Sequence, residues 1–263
     1  MMGTADDNEM TFWDHLDELR KIIFRILIFV GAATGVIFTC MKEIFDKFIL
    51  APTRDNFFLY EWFNQLGSKF PVLPDFTTGR LNIKIININL ASQFLTHMSA
   101  SLWLGVLASF PFVIYQLFIF VKPALHLHEK RNVGWAFLFG NMLFYSGILV
   151  GYSLVFPLTL RFLAGYELSP HIENSISLDS YMNNFIMLCF ILGLVFELPL
   201  LSWLLSKLGV LHKSFFSKFR KHAIVVLLIV AALITPSGDP FTLIVVFSPL
   251  YILWEISALA VVK

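Results

Sequence analysis

Six stretches of this chain are apolar enough to be helices that cross a membrane, and that feature constrains the fold more than any other. A helix gains about 1.5 Å per residue, so a hydrocarbon core of about 30 Å needs about 20 apolar residues. Runs of this kind cover residues 22–41, 91–121, 135–156, 181–206, 223–235 and 241–262. The fifth is short, and its 13 residues reach only about 20 Å. Pro249 and Glu255 interrupt the sixth. Hydrophobic residues make up 57% of the chain and charged residues 14%, against about 45–50% and about 25% in ordinary globular proteins. With a mean hydropathy of +0.76, a soluble fold would have no place to bury so much apolar surface. The expected class is an all-α, polytopic membrane protein with six transmembrane helices, a single membrane domain over residues 1–263.

Charge placement predicts the orientation. Cytoplasmic loops carry the excess of Lys and Arg. The short loops on one side hold Lys122, Lys130, Arg131, Lys207, Lys213, Lys218, Arg220 and Lys221, whereas the short loop on the other holds Arg161 alone. Both termini are therefore expected in the cytoplasm. Residues 6–21 carry six acids and two bases, the reverse of a secretory leader, so the first span reads as retained. The long outer loop, 42–90, has helical periodicity over 43–50 that ends at Pro52. It continues with an aromatic stretch over 56–70 suited to the membrane interface or to capping the bundle. At 80–90 it alternates like a short, bulged strand. Pro157, Pro199 and Pro249 each precede a leucine within a span and predict kinks.

Enzyme chemistry finds no foothold. His128-Glu129 opens like a zinc-protease helix, but Asn132 stands where the second histidine belongs. Ser237-Gly238-Asp239 lacks the second intramembrane aspartate that an aspartyl protease needs. There is no GxSxG elbow and no phosphate-binding glycine loop. Cys40 and Cys189 are the only cysteines, too few for a disulfide framework or metal cluster. A net charge of +1 gives no basic stripe for nucleic acid. No catalytic residue, metal or cofactor is expected.

The polar groups within and beside the spans carry the remaining information, because ionisable residues in a membrane are costly and usually functional. Before the first span stands Phe12-Trp13-Asp14-His15-Leu16-Asp17-Glu18-Leu19-Arg20-Lys21, a polar helical approach to the bilayer. After the second span come Pro111, Tyr115 and Gln116, then Lys122-Pro123-Ala124-Leu125-His126-Leu127-His128-Glu129-Lys130-Arg131. Glu197, in Phe196-Glu197-Leu198-Pro199, falls about 15 Å from the span end marked by Lys207. Thr235-Pro236-Ser237-Gly238-Asp239-Pro240 forms the turn before the sixth span.

In this order, these segments resemble the TatC family, the multispanning component of the twin-arginine, Sec-independent protein translocase. The match runs the length of the chain, although Thr242-Leu243 replaces the family's usual Ser-Gln. The resemblance implies a cupped helical bundle in the cytoplasmic membrane. It also implies a receptor for twin-arginine signal peptides that exports folded proteins, energised by the proton-motive force. Its partners would be single-span TatA/TatB-like subunits in homo- and hetero-oligomers. By the same resemblance Glu129 and Glu18 are the arginine acceptors, with Arg20, Lys130 and Arg131 beside them. Glu197 is a cavity carboxyl, and Pro52, Pro111 and Asp239 are structural or partner positions. Carboxylates suit this task, since a guanidinium fork binds them bidentately. The competing expectation is a small-molecule secondary transporter with Glu197 as its proton-coupling carboxylate. It predicts a three-plus-three inverted repeat, which the sequence does not display.

Overall fold

The computed structural model describes residues 12–54, 56–60, 83–121, 133–166, 169, 171, 174–207, 209–235 and 240–261. Helix α1 (Phe12–Ile44) runs 33 residues and passes directly into a π-helical segment, Phe45–Ile49, and a 3-10 turn, Ala51–Thr53. The polar approach at 12–21 is thus the first part of α1 itself and not a separate helix. Strand β1 (Ile85–Ile86) precedes α2 (Ser92–Val121). Then come α3 (Val133–Val150), a π turn at Gly151–Val155, and α4 (Phe156–Gly165). Strand β2 (Ile176–Ser177) pairs in parallel with β1, Ile85 opposite Ile176. The chain closes with α5 (Leu178–Val195), α6 (Leu198–Lys207), α7 (Lys213–Ile234) and α8 (Pro240–Ala260).

Among the described residues, five helical stretches are long and apolar enough to cross a membrane. Helix α7 falls outside that set for a visible reason. Its first ten residues carry Lys213, Lys218, Arg220 and Lys221, and only the remainder is apolar. Helix α8, at 21 residues, is about 31 Å long. Of the last two spans, only the fifth is therefore short in its apolar part.

The prolines act in different ways. Pro199 has no N–H to give to Val195, and α5 and α6 separate there at Phe196-Glu197. Pro157 follows the π turn as an early residue of α4. Pro249 sits inside α8, which continues past it. Pro111 sits inside α2 and leaves the Leu107 carbonyl without its helical donor, and the Tyr145 hydroxyl of α3 donates to that carbonyl at 3.2 Å.

Side-chain contacts show the helices running in alternating directions. Phe110 stacks on Phe144, with centroids 3.4 Å apart, which sets α2 against α3. Gly147 of α3 and Gly151 of the π turn that follows press on Leu192 and Cys189 of α5, and a Cβ at Gly147 would lie 2.6 Å from the Leu192 carbonyl oxygen. Val155, Phe156, Tyr181, Leu188, Leu192, Val246 and Leu250 form the buried centre. Helix α1 is peripheral by comparison. It lies along α2 through Phe29 on Phe112 (4.3 Å), Thr34 against Gly105, and Phe38 on His97 (4.1 Å). Its own Gly31 and Gly35 face open space.

Candidate functional site

One end of the bundle is a polar cap. Pro52 is buried in the 3-10 turn, and its carbonyl accepts from the Tyr60 hydroxyl at 2.8 Å. That hydroxyl also lies 3.3 Å from the Pro157 carbonyl, and the Arg161 guanidinium stands 4.5 Å over the Tyr60 ring. Tyr152 donates to the Phe48 carbonyl at 2.9 Å, and Tyr181 donates to that of Ile49. Asp179 accepts from Ser92 and, at 3.1 Å, from Asn89, which ties α5 to the start of α2. The unwound π geometry of 45–49 thus comes with side-chain donors from the π turn after α3 and from α5. Asp239 lies outside the described residues, as do Trp62 and Phe63.

The opposite end holds the recognition candidates. Glu18 of α1 lies one turn before Ile22, which is 1% exposed. Residues four apart share a helix face, so Glu18 is on the side of α1 turned toward the bundle. Lys21 lies 3.7 Å from its carboxylate, a loose pair that leaves oxygens for a ligand. Arg20 points along the helix, its guanidinium 5.7 Å from the Phe24 ring. The pairings of Phe29 with Phe112 and of Phe38 with His97 fix an antiparallel register. Continued down α1 from Phe29 and Phe112, that register sets Glu18 just past Val121, where α2 ends. The chain from there to Val133 carries Glu129, Lys130 and Arg131, and these three lie outside the described residues. Eleven residues, 122–132, separate α2 from α3.

Glu197 is 7% exposed. It occupies the break between α5 and α6, where its N–H bonds to the Leu194 carbonyl at 3.1 Å. Its carboxyl oxygens lie 3.5 and 3.8 Å from the position a Cβ would take on Gly140 of α3, so the glycine makes room for it. Within the described protein, one of those oxygens has no hydrogen-bond partner, and neither do the side-chain oxygens of Asn141 and Gln116. Such groups are expensive to bury without water or a ligand. They stand on α2, on α3 and at the α5–α6 break.

Glu255, which the sequence marks only as an interruption of the sixth span, has a partner that the sequence does not announce. Glu255 of α8 receives Arg220 Nη2 of α7 at 2.6 Å and the Tyr251 hydroxyl at 3.0 Å. Hairpin symmetry could have found it, since 220 and 255 are equidistant from the turn at 236–239. Among the described residues, no group of three or more His, Cys, Asp or Glu side chains is arranged to hold a metal ion.

The model of the TatC family, Sec-independent protein translocase protein, matches residues 14–249. The Sec-independent protein translocase protein TatC of Blattabacterium sp. subsp. Periplaneta americana is 32% identical over 253 residues, which is 96% of this chain and 95% of that protein. The chloroplastic TATC of Arabidopsis thaliana is 29% identical over 93% of this chain and 64% of its own length. Among solved structures, the crystal structure of the twin-arginine translocase receptor TatC matches at a TM-score of 0.72 and 28% identity. The match covers 94% of this chain and 97% of that one.

Proposed function

The chain belongs to the TatC family, as a membrane-embedded subunit of the Sec-independent, twin-arginine protein translocase, and on that premise we propose that it is the receptor for twin-arginine signal peptides. Glu129 takes one guanidinium of the arginine pair, and Glu18 takes the other or orients the peptide beside it. Arg20, Lys130 and Arg131 hold the two carboxylates apart and in place. The proposal extends to six spans with both termini in the cytoplasm, residence in the cytoplasmic membrane, and export of folded cargo driven by the proton-motive force. Single-span TatA/TatB-like subunits complete the machine.

The observation that carries this reading is the position of Glu18: bundle-facing, one turn before buried Ile22 and just past the end of α2. Two arginines need two acceptors, and the two candidate carboxylates stand on separate segments of the chain, before the first span and after the second. An arginine fork distinguishes such a site from one that reads charge alone, because lysine offers a point charge in its place. The test is binding of a twin-arginine signal peptide to the purified chain, against the same peptide with twin lysines. The expected result is at least about tenfold weaker binding of the lysine peptide, the loss of one charge-assisted hydrogen bond. Equal affinity for both peptides would remove the receptor role.

A further inference from the structure

The carboxylate of Glu18 already faces a cation of its own chain. Lys21 Nζ stands 3.7 Å from Glu18 Oε2. Residues three apart share a helix face, so the pairing follows from the sequence spacing along α1. The other nearby bases are turned elsewhere. Arg20 is two positions from Glu18, which puts it across the helix, and its guanidinium lies by the Phe24 ring. Arg25 is seven positions on, about 10 Å along the axis, and forms no ion pair among the described residues.

The Lys21 contact is weak and reversible. At 3.7 Å it is longer than a hydrogen bond. The Lys21 side chain is 64% exposed, so water screens the attraction. Nor does the pair brace the fold. Arg220 and Glu255, 2.6 Å apart, join α7 to α8, whereas Lys21 and Glu18 belong to one helix and join nothing. Glu43 and Lys47 also pair within α1 and its continuation, but both project into solvent, at 79% and 69% exposure. Glu18, at 36%, is half-covered and on the side turned toward the bundle. An ammonium on a flexible stem occupies such a carboxylate without closing it, because it lacks the two parallel donors of a guanidinium.

We propose that Lys21 is a tethered competitor for Glu18: it occupies the carboxylate in the empty receptor and yields it when an arginine of the signal peptide arrives. The proposal rests on the receptor reading above and adds a regulation of the same site. Attached to the same helix, Lys21 competes at an effective concentration on the order of millimolar or more. Every ligand of Glu18 must displace it, so it weakens twin-arginine and twin-lysine peptides by the same factor. That factor sets the threshold for binding, and the guanidinium fork supplies the discrimination.

The test is titration of the purified full chain with a twin-arginine peptide. K21Q should bind about two- to fivefold more tightly, the range of an exposed ion pair. K21R keeps the charge but offers Glu18 a fork, so it should bind more weakly than the unsubstituted chain. With the acceptor removed in E18Q, adding K21Q should change nothing. R25Q removes the same charge about one screening length from Glu18 and should leave the affinity unchanged. Unchanged or weaker binding in K21Q would overturn the proposal, as would equal affinity of K21R and the unsubstituted chain. Equal tightening in R25Q, or tightening by K21Q that persists in E18Q, would mean a diffuse field and overturn it too. The receptor reading fails by a different result, equal binding of twin-arginine and twin-lysine peptides to the unsubstituted chain.

Discussion

The two ends of the bundle are built on different principles. At the capped end, polar side chains are spent on the protein itself. Tyr60, Tyr152 and Tyr181 donate to backbone carbonyls of Pro52, Phe48 and Ile49, and Asp179 gathers Ser92 and Asn89. At the basic end, among the described residues, Glu18 has only the loose Lys21 pair, and Lys213, Lys218 and Lys221 form no ion pair. Groups satisfied internally fix geometry, whereas groups left to solvent remain free to bind. The comparison assigns shape to one end and recognition to the other.

The most damaging break should come from the cap. Tyr181 is 1% exposed and joins α5 to the π segment after α1. Tyr181→Ala should cost about 3–5 kcal/mol by loss of a buried aromatic ring, measured by denaturant unfolding in detergent. A change within about 0.5 kcal/mol, ordinary for surface positions, would mean that the cap does not hold the bundle.

A smaller effect sharpens the contrast between centre and periphery. Gly147→Val puts a branched side chain where even a Cβ lies 2.6 Å from the Leu192 carbonyl and 2.8 Å from Phe196. It should cost about 1–3 kcal/mol through overpacking. Gly31→Val in α1 meets open space and should be neutral or slightly stabilising. Reversal of that order in thermal unfolding would contradict the packing described for α1 and α3.

The mildest break separates the ends functionally. Pro52→Leu disturbs the turn whose carbonyl receives Tyr60 and should reduce cargo export while leaving twin-arginine peptide affinity unchanged. Abolished peptide binding in a folded Pro52→Leu protein would mean that the two ends do not divide the work.

How much of this could be read from residues alone depends on the range of the interaction. The apolar runs specify spans because hydropathy is local, and Pro199 announces the break at Glu197 because a missing N–H acts one turn away. Pro249 gives the same local signal, yet α8 continues through it. Glycine is more ambiguous still. Gly31 and Gly147 both sit in apolar helices, one facing open space and the other clamped against α5, and only the packing separates them. The pairing of Glu255 with Arg220 spans 35 residues and exists only once α7 and α8 dock. At the candidate site, the carboxylates were legible as residue types in an ordered set of motifs. That Glu18 faces the bundle required the burial of Ile22 and the register of α1 on α2.

The most direct test of the recognition end is the affinity of a twin-arginine signal peptide for the stable Glu129→Ala protein, measured by titration against the unsubstituted chain. Loss of a charge-assisted hydrogen bond worth about 1.5–3 kcal/mol predicts binding weaker by about 10- to 150-fold, with Glu18→Gln milder and Glu129→Asp retaining part of the affinity. Undiminished affinity in Glu129→Ala would contradict the account.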